Sequence, residues 1–318
     1  MHAEVDSLRR LHADYYLQRF TSPRLVFEPG QFIMVKPSGC LDPFLPRAYS
    51  ILRVQRPGRQ ATGGKTVVEI LYKVIGKGTT ALSQLKRGDR VDFLGPLGNG
   101  YRIPHSLTTA LLVAGGIGVP PVVALAERLA RSQFTIHGSR RGKTGHRSSV
   151  IGRLKMVAFV GGKTRHDVLC VADLRKAGAT VHVATEDGSV GHRGLVTDLL
   201  ESFLRSSDNG ARTSASGSAE LTVEASVEPS SVFACGPHPM LHAVARIAKR
   251  FEIPCQVSVE AEMGCGFGAC MGCVIPTKQS AVSSQPSAED RIADSGQPTA
   301  YKLCCKDGPV FDAQEIAW

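Results

Sequence analysis

Over the first hundred residues the apolar positions come in short β-favouring runs. Arg24–Phe27, Phe32–Lys36, Tyr49–Val54, Val67–Val74 and Arg90–Leu94 each predict a strand. Turn signals separate them: Pro29-Gly30, Pro37, Pro57-Gly58, Gly63-Gly64 and Gly88-Asp89. Many short strands punctuated in this way predict a small antiparallel barrel.

The pattern changes near residue 108. Thr109–Ala114 is a continuous apolar strand, followed by Gly115-Gly116-Ile117-Gly118 and a helical run to about Ala130. Beyond it, strands are predicted at Met156–Val160, Thr180–Thr185, Ser231–Cys235 and Gln256–Val259, and helices at Asp167–Lys176, Leu195–Leu204 and Pro239–Arg250. Apolar strands alternating with amphipathic helices predict a parallel sheet covered on both faces. The fold class is therefore α/β with a β-barrel, divided at 1–105 (barrel), 106–255 (nucleotide-binding α/β domain) and 256–318 (C-terminal loop subdomain). Three stretches read as inserted mobile loops: 137–153, which is basic, and 206–231 and 277–300, which are rich in Ser and Ala and poor in aromatics.

Composition narrows the function classes. Hydrophobic residues make up 42% of the 318 positions, and no apolar run reaches the roughly 18 residues of a spanning helix. The first ten residues mix charges with single apolar side chains and carry no signal core, so the expected location is the cytoplasm. The net charge of +10 is concentrated: Arg140, Arg141, Lys143, Arg147 and Arg153 supply half of it within one loop. With no basic stripe interleaved with aromatics elsewhere, neither a nucleic-acid partner nor a membrane is expected.

Nine cysteines in a cytoplasmic chain point away from disulfides, and five of them lie between Cys265 and Cys305. Cys265-x4-Cys270-x2-Cys273 with a later cysteine, Cys304 or Cys305, has the plant-type spacing of a [2Fe–2S] cluster. Glycines at 264, 266, 268 and 272 let the backbone wrap closely around such a group. A zinc knuckle normally pairs two similar short spacings, and this chain has one three-cysteine loop plus a remote fourth.

Three further segments carry binding chemistry. Arg47-Ala48-Tyr49-Ser50 offers a guanidinium fork for phosphate and a tyrosine face for a flat ring. Leu71-Tyr72-Lys73 leads into Gly76-Lys77-Gly78-Thr79, a glycine turn before the helical run Thr80–Leu85, suited to pyrophosphate. Gly115, Gly116 and Gly118 sit between strand and helix where a parallel sheet takes nucleotides, although Pro121 stands where the full dinucleotide fingerprint has a glycine. Cys235-Gly236-Pro237 repeats the strand-to-helix position downstream, and Asp187-Gly188-Ser189 follows another strand.

In this order, with Gly95-Pro96-Leu97-Gly98-Asn99-Gly100 between them and Cys305-Lys306-Asp307-Gly308-Pro309 at the end, the segments resemble the electron-transfer subunit of class 1B dihydroorotate dehydrogenase, within the ferredoxin–NADP reductase superfamily. The resemblance runs from about residue 24 to the C-terminus. It implies FAD on the barrel, contacted by Arg47, Ala48, Tyr49, Ser50, Leu71, Tyr72, Lys73, Gly78 and Thr79. It implies NAD at the glycine turns, and a cluster held by Cys265, Cys270, Cys273 and Cys305, the last chosen for its place before Asp307-Gly308-Pro309. Ala48 departs from the proline common in the flavin motif, and the insertion after Thr277 lengthens the path to the fourth ligand.

The activity implied is an oxidoreductase relay. Electrons pass from the FMN of a separate catalytic dihydroorotate dehydrogenase subunit through [2Fe–2S] and FAD to NAD+ in pyrimidine biosynthesis, within a heterotetramer. Two other readings stay open at this point: a related reductase subunit serving a hydrogenase or a ferredoxin:NADP+ transhydrogenase, and a zinc-stabilised binding module without flavin. Lys163 and Arg165, after the second strand of the nucleotide domain, leave NAD and NADP both open.

Overall fold

The computed structural model describes residues 1–12, 14–55, 66–138, 154–213, 230–278 and 300–318. Six antiparallel strands close a barrel: β1 (His2–His12), β2 (Tyr15–Ser22), β3 (Phe32–Pro37), β4 (Arg47–Gln55), β5 (Thr66–Lys73) and β6 (Arg90–Leu97), in the order β1-β2-β5-β4-β3-β6. Pairing of His2–Glu4 with Asp92–Arg90 shuts it. Phe20, Ile33, Ile51, Val68, Ile70 and Phe93 fill the interior; each such fully buried side chain contributes about 1.5–3 kcal/mol.

β5 is apolar nearly throughout because both of its faces are covered. Val68, Ile70 and Tyr72 point into the barrel, while Leu71 joins Leu52 and Tyr15 in the core shared with the next domain. A short helix, α1 (Lys77–Ser83), follows β5.

The second domain is a seven-stranded sheet of order β10-β9-β8-β7-β11-β12-β15: β7 (Thr109–Gly115), β8 (Lys155–Gly162), β9 (Thr180–Thr185), β10 (His192–Arg193), β11 (Ser230–Cys235), β12 (Cys255–Ser258) and β15 (Val310–Asp312). Helices α2 (Val119–Gly138) and α3 (Val171–Lys176) cover one face, and α4 (Val196–Thr213) and α5 (His238–Arg250) the other. β7 shows the consequence of two covered faces. Leu111 and Val113 enter one core, Ala110, Leu112 and Ala114 the other, and the strand reads as one continuous apolar run. A hairpin of β13 (Val274–Thr277) and β14 (Ala300–Leu303) precedes β15.

Several expectations change. The chain starts with a β1–β2 hairpin that the sequence reading did not assign. Arg24–Phe27 is not a strand: Thr66 donates its hydroxyl to Pro23 O (3.0 Å) and accepts from Leu25 N (3.3 Å), so a side chain replaces the ladder there. The helix expected at Asp167–Lys176 is a 3-10 turn (Arg165–Asp167) and then α3, separated by Cys170 at φ 56°. The sheet is parallel except at its edge, where β15 pairs antiparallel with β12. The boundary drawn between 255 and 256 falls inside β12. α4 runs into the segment 206–231 as far as Thr213. The rest of the insertions called mobile at 137–153, 206–231 and 277–300 lies outside the described residues but for a few positions at their edges.

Candidate functional site

Strand order reverses at β7, whose neighbours β8 and β11 are followed by strands running outward in opposite directions. The crevice at the carboxyl ends of the strands beside such a switch is where open α/β sheets bind ligands. Gly115, Gly116 and Gly118 end β7, and Cys235, Gly236 and Pro237 end β11. The two turns touch. A Cβ on Gly118 would lie 2.6 Å from the Cys235 carbonyl, and one on Gly236 would lie 3.1 Å from Gly115 Cα. Glycine is required because backbone meets backbone. Asp187 is not brought to this place. It lies beyond β9, three strands from β11, where its carboxylate accepts from Ser189 N (2.9 Å) within its own turn.

Between this edge and the barrel lies a cleft of about 930 Å³, within the range of cofactor sites. All nine residues assigned to the flavin line it: Arg47, Ala48, Tyr49 and Ser50 at the start of β4, Leu71, Tyr72 and Lys73 at the end of β5, and Gly78 and Thr79 of α1. The antiparallel register of β4 against β3 (Val35↔Arg47, Ile33↔Tyr49) sets which way these side chains face. Arg47 donates to Leu45 O at 2.6 Å and lies over Gly78, where a Cβ would stand 3.2 Å from Arg47 Cγ. Thr79 Oγ1 accepts from Ile75 N (2.9 Å) and Gly76 N (3.2 Å), closing the glycine turn.

The cleft is prepared for a polar, flat occupant. Among the described residues the buried hydroxyls of Tyr49 and Tyr72 have no hydrogen-bond partner, a condition that costs about 1–3 kcal/mol per group unless a ligand supplies one. Their rings stand edge to face at 5.6 Å, and burial pushes both phenols up. The opposite wall comes from Ser258 to Gly264, just past β12, together with Cys235 and Cys270. Sequence reading missed 258–264, whose only signal was its place after a strand at the switch. Burial pushes the Glu260 carboxyl up there.

Cys265, Cys270 and Cys273 follow on a loop whose turns need positive φ at Gly266 (82°) and Gly268 (92°). Its root is buried: Cys273, Cys304 and Cys305 share a core with Phe32 and Met34 from the outer face of β3. Asn99 Nδ2 donates to Asp307 O (2.9 Å), tying the C-terminal segment to the barrel.

Among the described residues, no three His, Cys, Asp or Glu side chains converge on one metal point. The thiols form pairs instead, Cys265 with Cys270 and Cys273 with Cys305. Two irons with two thiolates each call for such pairs. Backbone N–H donors, Cys270 N foremost at 3.4 Å, pull the Cys265 thiol down to about 6. Burial pushes Cys305 up to about 12, and a metal must displace that proton to bind. Cys304 is turned away, its thiol donating to Val259 O at 3.3 Å.

No helix among the described residues is long and apolar enough to cross a membrane. Residues 260–285 match the model of the iron–sulfur cluster binding domain of dihydroorotate dehydrogenase B. The chain is 37% identical over 314 residues to the dihydroorotate dehydrogenase B (NAD(+)) electron transfer subunit of Bacillus caldolyticus, covering 97% of this chain and 95% of that one. To the subunit of the same name from Desulforamulus reducens it is 29% identical over 318 residues, covering 99% and 97%. A solved NADH-dependent reduced ferredoxin–NADP oxidoreductase superposes with a TM-score of 0.68 at 23% identity, over 99% of this chain and 90% of that one. A ferredoxin–NADP+ reductase from Neisseria gonorrhoeae, with bound FAD and NADP, gives 0.54 at 13% identity, over 79% and 91%. Barrel, switch-point sheet and cysteine loop agree with near full-length identity, and the chain belongs to the family of dihydroorotate dehydrogenase B electron transfer subunits.

Proposed function

We propose that this chain is the cytoplasmic electron-transfer subunit of an NAD-linked dihydroorotate dehydrogenase, relaying electrons from the FMN of a catalytic partner to NAD+ in pyrimidine biosynthesis. One observation carries this reading: a single cleft is lined by the flavin-type residues of β4, β5 and α1, by Cys235 of the nucleotide sheet and by Cys270 of the cysteine loop. Three redox sites thereby share one cleft.

Flavin bound in the cleft exchanges hydride with a nicotinamide and single electrons with an iron–sulfur centre. The chain's own residues do the positioning. Arg47 presents its guanidinium to the cofactor's phosphates, as a rigid two-pronged donor, and Gly78 leaves room for them. Tyr49 and Tyr72 back the ring as the aromatic part of the barrel wall. Gly115, Gly116 and Gly118 with Cys235, Gly236 and Pro237 shape the floor on which the nicotinamide nucleotide lies; Asp187 sits outside this floor and acts, if on the nucleotide, at its far end. Cys265, Cys270, Cys273 and Cys305 hold [2Fe–2S], with Cys304 kept out by its bond to Val259. The barrel (1–105) carries the flavin task, while the nucleotide task extends past residue 255 through β12 and β15, strands of the same sheet that flank the cysteine loop.

The cluster loop and the hairpin after it expose Phe267, Met271, Val274 and Tyr301, with Phe267 58% and Met271 60% accessible. Exposed apolar side chains beside the electron exit suit a docked catalytic subunit, and a heterotetramer of two copies of each chain accommodates it. The test is co-expression with the catalytic subunit from the same genome and anaerobic purification. The reading predicts co-purification and dihydroorotate-dependent formation of NADH. A flavin-loaded chain that neither binds that subunit nor supports the reaction sends the relay to another oxidoreductase partner, and a colourless zinc protein contradicts the relay altogether.

A further inference from the structure

Among the polar contacts that join the barrel to the nucleotide domain in the described residues, two gather several side chains, one around Arg53 and one around Asp167, and the second reaches the cleft. The first is centred on Arg53 of β4, whose guanidinium donates to Glu69 Oε2 (2.7 Å), Glu127 Oε1 (2.5 Å) and Asp173 Oδ1 (2.9 Å). None of these four residues lines the cleft. The second is centred on Asp167, five residues past β8. Tyr15 donates its hydroxyl to Oδ1 at 2.7 Å, and Lys73 Nζ stands 3.6 Å from the same oxygen. Thr164 donates to Oδ2 from its backbone N–H (3.1 Å) and its hydroxyl (3.2 Å).

The β1–β2 turn reinforces this contact from the barrel side. His12 stacks on His166 at 3.6 Å between ring centroids, Asp14 O accepts from Val74 N at 2.8 Å, and Lys73 lies 5.0 Å over the Tyr15 ring. Lys73 is the last residue of β5 and lines the cleft. Asp167 is therefore an anion from the nucleotide domain, 17% exposed, held against a cation on the flavin wall.

We propose that Asp167 is a positioning residue that fixes Lys73 and offsets its charge, so that the Asp167–Lys73 pair sets the midpoint potential of the flavin. The inference rests on FAD occupying the cleft. Reduction adds electrons to the flavin, so a nearby positive charge favours the reduced form, and a carboxylate that offsets it favours the oxidised one. At 3.6 Å, shielded on one side by Tyr15 and Thr164, the pair is screened less than an open surface pair. The same carboxylate also belongs to the loop at the carboxyl end of β8, so one side chain ties the nucleotide domain to the charge facing the flavin.

The test is a spectroelectrochemical titration of the FAD in the purified full-length chain. Asp167→Asn is expected to raise the midpoint potential, by the order of tenfold in the two-electron equilibrium, which is about 30 mV. Asp167→Glu restores the wild-type value. Lys73→Met shifts the potential the opposite way, and Asp167→Asn in the Lys73→Met background gives a smaller shift than in the wild type, since part of the effect of Asp167 runs through its hold on Lys73. Tyr15→Phe keeps both charges but removes the anchor, and gives a smaller shift of the Asp167→Asn sign; it serves where Lys73→Met fails to retain flavin. Glu127→Gln, which weakens the other group of contacts, leaves the potential in place. An unmoved potential in Asp167→Asn overturns the inference, as does an equal shift from Glu127→Gln or a shift undiminished in the Lys73→Met background. A chain that binds no FAD overturns the flavin reading, and this inference with it; a flavin-loaded chain with an unmoved potential overturns this inference alone.

Discussion

The barrel wall of the cleft and the cysteine loop opposite hold their chemistry in different ways. On β4 and β5 the ladder fixes every functional side chain: Arg47 pairs with Val35, Tyr49 with Ile33, and Tyr72 with Tyr16. Consecutive residues, 47–50 of β4 and 71–73 of β5, border the cleft because it opens at the ends of these strands. Residues 264–273 have no ladder. Their path depends on positive φ at Gly266, Gly268 and Met271, and their anchoring comes late, where Cys304 N donates to Cys273 O at 2.8 Å. The wall is ordered by strand pairing, whereas the loop's four thiols are brought near one another by glycine turns and by the late anchor at Cys273.

Cys270→Ser should break the comparison most sharply. Essentially all of the iron–sulfur absorbance is lost and hydrogen exchange across 264–273 rises, while β4 and β5 keep their protection and the flavin stays bound. Iron, flavin and exchange measurements on one preparation check this. Second in size is Arg47→Ala on the wall. Losing charge-assisted contacts to phosphate, worth about 1.5–3 kcal/mol, weakens FAD binding at least tenfold in a fluorescence titration and leaves the iron content unchanged.

A pair of glycines sharpens the contrast. At Gly266 a Cβ meets Met34 Cγ at 2.5 Å with φ at 82°, whereas at Gly78 it meets only the flexible Arg47 side chain at 3.2 Å. Gly266→Ala is expected to cost about 1–3 kcal/mol and much of the cluster occupancy. Gly78→Ala costs less in denaturant unfolding and acts on FAD affinity alone.

The smallest effect is one of pH. Buried against Tyr15, Thr164 and Lys73, Asp167 resists ionisation through desolvation, but the Tyr15 hydrogen bond and the other donors prevail and hold its carboxyl below the ordinary range. A depressed folded pKa contributes stability that is complete above the unfolded value, about 3.9, and is lost as pH falls through the folded one. Unfolding midpoints of wild type and Asp167→Asn should therefore differ at neutral pH and converge in strong acid.

Much of this arrangement was legible in the sequence where local pattern and tertiary role coincide. The apolar run at 109–114 lies between two helical layers, and Arg47–Ser50 with Leu71–Lys73 sit at the ends of strands that border one cleft. Legibility fails where a distant partner decides. In β1, Arg9, Arg10 and His12 face outward and hide the alternation of Ala3 and Val5. Thr66 unseats the expected strand at Arg24–Phe27 from some 40 positions away, and Asp167 meets Tyr15 across 152. Asp187 shows the converse. It has the right local setting after a strand, but sheet order puts it at the far side.

The most direct test of the shared cleft is to mix NADH anaerobically with the complex of this chain and its catalytic partner, and to compare wild type with Cys270→Ser by stopped flow. The account predicts that NADH bleaches the FAD equally fast in both. Electrons then reach the partner's FMN in wild type and stop in Cys270→Ser. Reduction of the FMN at the same rate without the cluster would show that electrons leave the flavin by another route, and would contradict it.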